Sequence, residues 1–341
     1  MASLVIQTSF LGDMILTTPL IAHLARGGPV DVVATRGAAA LLANNPDVRE
    51  VVAYDKRGAD AGAGGFVRLA RRLRSRGYDV AYLAQGSMRS AALALAAGVP
   101  SRVGFDTSAG RRLYTTRVVY RDDWHHAARL FALGAVTQPA SSSGELRPRL
   151  YPGDAERRAV DALLGAARES AAPVALAPGS VWATKRWPYY PALASMLVAR
   201  GARIVVVGGP EDAPLAAEIA AAAGGETIDA TGRLSLLASA ELIGRAAAIV
   251  TNDSAPQHLA SAMATPTVTV FGPTVPDFGF GPLAPRRATV GHETLDCRPC
   301  DRHGPQRCPL GHWRCMREVA PVAVLASLER VLPAGVLKNG E

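Results

Sequence analysis

The chain has 341 residues, a length that accommodates two domains of about 150 residues each. With 49% hydrophobic and 19% charged residues, its composition excludes a largely disordered protein. The apolar runs are strand-sized and no signal-peptide pattern begins the sequence, so we expect a cytoplasmic protein without a membrane span.

The net charge of +8 favours an anionic partner, and nucleic acid, an acidic membrane surface and phosphorylated substrates all fit it. Of 37 basic residues, 34 are arginines and the others are Lys56, Lys185 and Lys338. A lysine in such a background indicates a position that needs a compact ammonium group rather than a planar guanidinium.

Short apolar runs alternate with helical patterns along both halves of the chain. In the first half we predict strands at residues 4–8, 30–35, 51–55, 79–84 and 102–105, with helices at 14–26, 66–75 and 87–97. In the second half we predict strands at 174–177, 204–207, 248–251 and 268–271, with helices at 191–200, 215–223, 236–244 and 319–331. A segment rich in Pro, Ser and Gly, 137–154, separates the halves. The predicted fold is α/β, with doubly wound parallel sheets in two domains, 1–150 and 151–341.

In open α/β sheets ligands bind beyond the carboxyl ends of the strands, so the loops there are the candidate sites. The first, "TSFLGD", has one glycine and an acid, Asp13, where a dinucleotide-binding loop has several glycines. Asp13 either caps the helix that follows or directs its carboxylate at a ligand.

The second loop, "APGSVWATKRWP", turns sharply after a strand. Ser180 and Thr184 supply hydroxyl donors and Lys185 supplies a positive charge, a combination typical of a phosphate site. The alternative is a solvated turn with a surface lysine.

Two later loops carry related signals. In "IVVVGGPED", Glu211 or Asp212 follows a glycine pair and can hold ribose hydroxyls. In "NDSAPQHLASAM", a helix opens near Ser254, and its free N–H groups suit a diphosphate. His258, one turn in, either contacts the ligand or is a helix histidine with satisfied hydrogen bonds.

The motifs "FLGDMILTTPL", "PGSVWATKRWP", "NDSAPQHLASAM" and "FGPTVPDF" resemble those of the bacterial lipopolysaccharide heptosyltransferases, glycosyltransferase family 9. The likeness runs from residue 9 to about residue 283 and is greatest for the members that add the second heptose. It implies a GT-B fold, with an acceptor-binding and a nucleotide-sugar-binding Rossmann-like domain on either side of a cleft. It also implies transfer of a heptose from ADP-heptose to the lipid-linked inner core, with inversion at the anomeric carbon.

The resemblance assigns roles to individual residues. It makes Asp13 the catalytic base, places Lys185 and Asp253 on the donor, Glu211 or Asp212 on the ribose, and His258 near the diphosphate. Ser180, Lys185 and the helix start at Ser254 stabilise the ADP leaving group electrostatically in this interpretation. Leu234 stands where relatives can carry methionine near the adenine, and it keeps that pocket apolar. Because the sequence has no Asp-x-Asp motif, we expect a metal-independent reaction.

All four cysteines, Cys297, Cys300, Cys308 and Cys315, lie within one segment, 295–316. This clustering is typical of metal ligands, and we expect a structural zinc ion there. For catalysis we expect no cofactor. Two disulfides or free thiols are the alternatives. Because the segment follows the donor motifs, we expect it to contribute to stability or to acceptor binding. We expect changes in it to act apart from the chemistry of Asp13 and Lys185.

Two other functions fit part of this pattern. Another ADP- or UDP-sugar transferase would share the fold. A nucleic-acid-binding module held together by a metal would use the cysteines and the positive charge, but the arginines are spread along the whole chain and no nucleic-acid-reading motif appears. We therefore expect a lipid-linked lipopolysaccharide acceptor and no nucleic acid, with contact at the inner face of the cytoplasmic membrane.

Overall fold

The computed structural model describes residues 1–56, 58, 60–135, 143–165, 171–224 and 227–338. Contacts within the chain divide it into two compact units, Met1–Tyr151 and Pro152–Glu341. This division falls one residue after the boundary expected from the sequence. The first part of the predicted separating segment, 137–142, lies outside the described residues.

The N-terminal unit contains a parallel six-stranded sheet. Its strands are β1 (Ser3–Gln7), β2 (Val30–Ala34), β3 (Glu50–Ala53), β4 (Val80–Leu83), β5 (Ser101–Phe105) and β6 (Thr116–Val118). They pair in the order β3-β2-β1-β4-β5-β6, with Ser3 opposite Val30 on one side and Val80 on the other. The helices described in this unit are α1 (Leu11–Ala25), α2 (Arg36–Ala40), α3 (Gly62–Arg74), α4 (Met88–Ala96), α5 (His126–Ala132) and α6 (Ser143–Leu146).

The central strands of this sheet are apolar because helices cover both of its faces. Every residue of β1 and β2 is buried. On one face Leu4 and Ile6 pack with Leu69 and Leu73 of α3. The apolar pattern of β1 thus places its carboxyl end, and the loop that leads into α1, at the middle of the sheet.

The C-terminal unit repeats this plan. Its strands are β7 (Val174–Ala177), β8 (Ile204–Val206), β9 (Thr227–Asp229), β10 (Ala248–Asn252), β11 (Thr267–Phe271) and β12 (Arg287–Gly291), all parallel, in the order β12-β11-β10-β7-β8-β9. Its described helices are α7 (Asp154–Leu164), α8 (Tyr190–Ala199), α9 (Ala213–Ala223), α10 (Leu236–Arg245), α11 (Ala255–Met263), α12 (Arg314–Arg317) and α13 (Pro321–Val331).

Both sheets have the Rossmann strand order, in which the direction of strand succession reverses once. The reversal lies between β1 and β4 in the first unit and between β7 and β10 in the second. Loops that leave the carboxyl ends of those neighbouring strands diverge and form a crevice, the usual ligand site of such sheets. The predicted doubly wound α/β fold is confirmed, and each unit offers one such crevice.

All nine predicted strands are present, with ends within two residues of those expected. The sequence missed β6, β9 and β12, which lie at sheet edges and have half-buried or exposed residues. Edge strands lack the continuous apolar run that identifies a central strand. The last predicted helix, whose partner the sequence left open, packs on the C-terminal sheet through Val324 and Leu328.

No helix within the described ranges combines the length and the apolar composition needed to cross a membrane.

Candidate functional site

Polar side chains meet at the crevice of the N-terminal sheet. The Thr8 hydroxyl, just after β1, donates to Oε1 of Gln85, in the loop after β4. Lys56 Nζ donates to the Thr8 carbonyl at 2.9 Å. Ser9 Oγ lies 2.7 Å from Gln7 Oε1 and 2.5 Å from Asp13 Oδ2, so its hydroxyl can donate to either. These contacts tie the first loop to both strands that flank the crevice.

Asp13 is the third residue of α1 and not its cap. The helix begins at Leu11, and the cap position is occupied by Phe10, which makes no side-chain capping bond. The alternative interpretation of Asp13 as the N-cap is therefore wrong. The carboxylate lies in the first turn, where the helix dipole favours a negative charge, and its side chain remains 19% exposed. The helix start thus favours the ionised carboxylate, and part of the side chain reaches solvent.

His126, which the sequence analysis did not select, faces Asp13. Its Nε2 lies 3.6 Å from Asp13 Oδ1, and the histidine side chain is 13% exposed. His126 is the first residue of α5, which packs against α1 through the rings of His23 and Phe131, 4.8 Å apart. The only sequence signal was its place in the "HH" pair before an apolar helix, and nothing in that signal points to Asp13.

The segment that leads into α5 is fixed by a buried arginine. The Arg129 guanidinium donates to the carbonyls of Arg121 and Asp122, both at 2.7 Å, and lies over the ring of Tyr120. Its side chain is almost fully buried. A planar group with five N–H donors can satisfy several carbonyls at once, so Arg129 determines where α5 begins and hence where His126 lies.

A buried ion pair lies at the crevice of the C-terminal sheet. Lys185 Nζ is 2.6 Å from Asp253 Oδ2, and each side chain is 9% exposed. Thr274 Oγ1 donates to the same carboxylate at 2.8 Å, and Gln257 Nε2 donates to its other oxygen at 2.7 Å. The alternative of a solvated surface lysine is therefore wrong. The ammonium has three N–H donors, of which this pair uses one.

Asn252 holds the loop after β7, residues 178–188, against the end of β10. Its Nδ2 donates to the Pro178 carbonyl at 2.8 Å. Its Oδ1 accepts from the Trp187 backbone N–H and from the Tyr190 hydroxyl, both at 3.2 Å. This buried amide spans the point where the strand order reverses, and so it places the β7 loop, which carries Lys185, beside Asp253.

The two predicted hydroxyl donors of the β7 loop differ in the structure. Ser180 Oγ accepts from the Trp182 N–H at 3.3 Å, which leaves its own O–H to donate elsewhere. The Thr184 hydroxyl donates to the carbonyl of Pro305. Its one proton is therefore committed to the segment 295–316, and the structure does not direct Thr184 at a phosphate as the sequence predicted.

The acidic pair after β8 divides into one structural and one accessible residue. Asp212 is buried, and its Oδ2 accepts from the Gly209 N–H at 3.0 Å. Burial raises the pKa of this carboxyl, and the neighbouring charge of Glu211 adds to the effect. A Cβ on Gly179 would lie 2.2 Å from Asp212 Oδ2, so the carboxylate fills the space there. Glu211 is exposed and is the member of the pair that a ligand can reach.

The remaining predicted donor residues lie at the carboxyl ends of the same sheet. Ser254 occupies the cap position of α11 without a side-chain capping bond, and its Oγ is 3.5 Å from the Gly179 carbonyl. His258 is buried in α11, at 5% exposure. Leu234 is half-buried in the loop between β9 and α10. The structure therefore brings Ser180, Lys185, Asp253 and Ser254 together, with Glu211 and Leu234 on the loops after β8 and β9.

The four cysteines are free thiols, so no disulfide joins them. Cys297 Sγ lies 4.0 Å from His312 Nε2. Burial alone would raise the pKa of Cys308, but backbone N–H groups of residues 310–313 donate to its sulfur and hold the pKa below its ordinary value. Burial, together with the charge of Cys300, raises the pKa of Cys315 to about 11. Within the described residues, no three Cys, His, Asp or Glu side chains are grouped closely enough to hold a metal ion.

Comparisons with known proteins show the family of this chain. The model of glycosyltransferase family 9 (heptosyltransferase) matches residues 66–311. Lipopolysaccharide heptosyltransferase 2 of Salmonella typhimurium is 30% identical, over 82% of this chain and 84% of the relative. Lipooligosaccharide heptosyltransferase 2 of Haemophilus influenzae is 27% identical, over 96% of this chain and 99% of the relative. The solved structure of Escherichia coli ADP-heptose lipopolysaccharide heptosyltransferase II is 27% identical, with a TM-score of 0.77 over 97% of this chain and 98% of that one.

Proposed function

Because the chain belongs to glycosyltransferase family 9, the heptosyltransferases, we propose that it transfers the second heptose from ADP-heptose to the inner core of lipopolysaccharide. The observation that carries the proposal is the Lys185–Asp253 pair, a cation held at the strand-order reversal of the C-terminal sheet. Phosphate groups of nucleotides bind at this place in Rossmann-like domains. The relatives named above are lipopolysaccharide or lipooligosaccharide heptosyltransferases, which supports this donor and this acceptor.

The reaction we propose inverts the anomeric centre. The acceptor hydroxyl oxygen attacks the anomeric carbon of the heptose from the face opposite ADP. The bond from that carbon to the β-phosphate oxygen breaks, and ADP leaves with the electron pair. Asp13 takes the hydroxyl proton, and a carboxylate suffices as the base because the proton leaves only as the new bond forms. His126, whose Nε2 lies 3.6 Å from Asp13 Oδ1, orients this carboxylate in the proposed reaction.

The donor is bound by the C-terminal unit. Lys185, the Ser180 hydroxyl and the backbone N–H groups at the start of α11, near Ser254, stabilise the charge that develops on the leaving diphosphate. His258 lies one turn further along α11. Glu211 holds the ribose, since it is exposed and Asp212 is committed to Gly209. Leu234 contributes an apolar contact for the adenine.

The chemistry needs no metal ion in this proposal. The absence of an Asp-x-Asp motif from the sequence supports this, because that motif is how other glycosyltransferases hold a metal on the diphosphate.

A structural zinc ion at the four cysteines is proposed separately. The cysteine spacing and the N–H groups around Cys308 support it, although the thiols must move closer together than they lie here. The charge of +8 suits contact with the anionic inner face of the cytoplasmic membrane, where the lipid-linked acceptor lies.

The test is an assay of ADP release with three truncated lipopolysaccharide acceptors, carrying no heptose, one heptose or two. We expect release from ADP-heptose with the one-heptose acceptor alone. Transfer to the acceptor without heptose would show that the protein adds the first heptose instead. Faster reaction with a UDP-sugar would show a different transferase of the same fold.

A further inference from the structure

The Cys-rich segment, residues 295–316, packs directly on the β7 loop. Gln306 bridges two points of that loop, since its Oε1 accepts from the Ala183 N–H at 3.1 Å and its Nε2 donates to the Val181 carbonyl at 2.9 Å. The Thr184 hydroxyl donates to the Pro305 carbonyl beside it. The sequence analysis expected this segment to act apart from Lys185, whereas these contacts join it to the loop that carries Lys185.

The segment also covers the side chain of Lys185. A Cβ on Gly304 would lie 3.3 Å from Lys185 Cε and 3.3 Å from Thr184 Oγ1, so a side chain at this position would crowd the lysine. Gly304 has a φ of +85°, which a residue with a side chain adopts only with strain. Next to it, the rings of His303 and Trp182 stack with centroids 6.3 Å apart.

The same segment holds the partner of Lys185. The Arg298 guanidinium donates to the carbonyls of Thr274 at 2.9 Å and Phe271 at 3.3 Å, and the Cys300 N–H donates to the Pro273 carbonyl at 2.8 Å. Thr274 in turn donates its hydroxyl to Asp253. Both members of the ion pair are therefore positioned by residues 298–306.

We propose that the Cys-rich segment positions Lys185 for the donor diphosphate and that Gln306 is the positioning residue through which it does so. The inference rests on the proposed function, in which Lys185 binds the diphosphate. Without Gln306 the backbone of residues 181–184 regains conformational freedom. Donor binding must then also supply the free energy that orders this stretch, so the donor binds more weakly.

The test uses Gln306→Met, which keeps the length of the side chain and removes both hydrogen bonds. Calorimetric titration of the full chain with ADP should show binding about tenfold weaker than in the wild type, the combined effect of two neutral hydrogen bonds. KM for the acceptor should not change, and the melting temperature should fall by no more than about 4 °C, because Gln306 is exposed and only the loop loses order. Leu310→Ala is the matched control, since Leu310 lies in the same segment and is 65% exposed, and its ADP affinity should equal that of the wild type.

A double-mutant cycle tests whether Gln306 acts through Lys185. If it does, Gln306→Met in a Lys185→Ala background weakens ADP binding no further. Additive losses in the cycle, or an unchanged affinity in Gln306→Met, would overturn the inference while the proposed function stands. A wild-type protein that binds no ADP would overturn the proposed function, and the inference with it.

Discussion

Among the neighbours of the Asp13 carboxylate, Ser9 and His126 act on it differently. Ser9 offers a hydroxyl at 2.5 Å, and His126 places an imidazole nitrogen 3.6 Å away. The hydroxyl can turn to Gln7 when a substrate hydroxyl arrives, since Gln7 Oε1 is 2.7 Å from Ser9 Oγ. In the proposed reaction, a substrate hydroxyl can therefore replace the Ser9 hydroxyl at the Asp13 carboxylate.

We expect Asp13→Asn to lower kcat by about 100-fold or more, the usual contribution of a general base. The substitution keeps the size of the side chain and removes its basicity, so the affinity for ADP should stay as in the wild type. Steady-state kinetics with calorimetry of ADP binding measures both quantities. Asp154→Asn, at a carboxylate whose side chain is 79% exposed, is the control for the loss of one charge. A wild-type kcat in Asp13→Asn would show that the carboxylate only interacts with the helix dipole and takes no part in catalysis.

His126→Ala should lower kcat by about tenfold and leave the affinity for ADP unchanged, because in the proposed reaction the histidine orients Asp13 and does not contact the donor. His126→Gln, which can place an amide N–H near the carboxylate, should recover part of the loss. In the Asp13→Asn background neither substitution should have a further effect. An equal loss in that background would show that His126 does not act through Asp13.

Asp31 stabilises the N-terminal unit in a pH-dependent way. Burial alone would raise the pKa of this carboxyl, but hydrogen bonds from Arg49 and Tyr78 hold it below its ordinary value. Since the folded-state pKa is below the unfolded-state value of about 3.9, the stabilisation is present above that pH and is lost as the pH falls through the folded-state pKa.

Asp31→Asn should therefore lower the free energy of unfolding by about 2 kcal/mol at neutral pH, from the loss of charge-assisted hydrogen bonds at a fully buried side chain. Urea unfolding at neutral pH and at about pH 3 is the measurement, and the difference from the wild type should shrink at the lower pH. A difference independent of pH would mean that the carboxylate charge does not contribute.

The sequence identified Asp13 and Lys185 because each lies shortly after the end of a predicted strand, and the carboxyl ends of parallel strands meet at one edge of a sheet. It could not identify His126 or Gln306, since their contacts join segments far apart in the chain and depend on how α5 and the Cys-rich segment pack. The hydroxyl of Thr184 was misassigned for the same reason. Its acceptor, the Pro305 carbonyl, lies 121 residues further along the chain.

At the scale of elements, the β7 loop, the start of α11 and residues 271–274 form one hydrogen-bonded unit around the ion pair. Asn252 joins the β7 loop to β10, and Thr274 and Gln257 complete the shell of Asp253. An ammonium fixed in this way needs little reorganisation when charge develops on a diphosphate, which is the condition for electrostatic catalysis.

Lys185→Ala should weaken ADP-heptose binding and lower kcat together, because in the proposed function the ammonium faces the diphosphate in the ground state and in the transition state. Lys185→Arg should recover only part of both, since a planar guanidinium replaces a compact charge in a closed space. The measurement is KM for the donor and kcat at saturating acceptor. The melting temperature of Lys185→Ala checks that the variant stays folded. We expect that it does, because the Asp253 carboxylate keeps its hydrogen bonds from Thr274 and Gln257. Full activity of the alanine variant would exclude the diphosphate role.

At the scale of the whole molecule, the two units share one strand order but use their crevices differently. The first loop of the N-terminal sheet carries a carboxylate, and the first loop of the C-terminal sheet carries an ammonium paired with the end of β10. The fold could be predicted because both sheets repeat apolar strands between helices. The edge strands β6, β9 and β12 could not, because their residues are half-buried or exposed and form no continuous apolar run.

The last prediction concerns metal and the whole chain. A zinc ion at Cys297, Cys300, Cys308 and Cys315 would offset the mutual repulsion of thiolates that contributes to the raised pKa of Cys315. Elemental analysis should then find one zinc per chain, and Cys300→Ser should lower the melting temperature. Because the segment packs on the β7 loop, the same variant should also bind ADP more weakly, which differs from the expectation from the sequence alone. Four thiols that all react with a thiol reagent in a metal-free protein would exclude the zinc site.

The transfer reaction itself should not depend on a metal ion in solution. Mg²⁺ and Mn²⁺ should leave the transfer rate unchanged. A strict requirement for added Mg²⁺ would exclude metal-independent transfer.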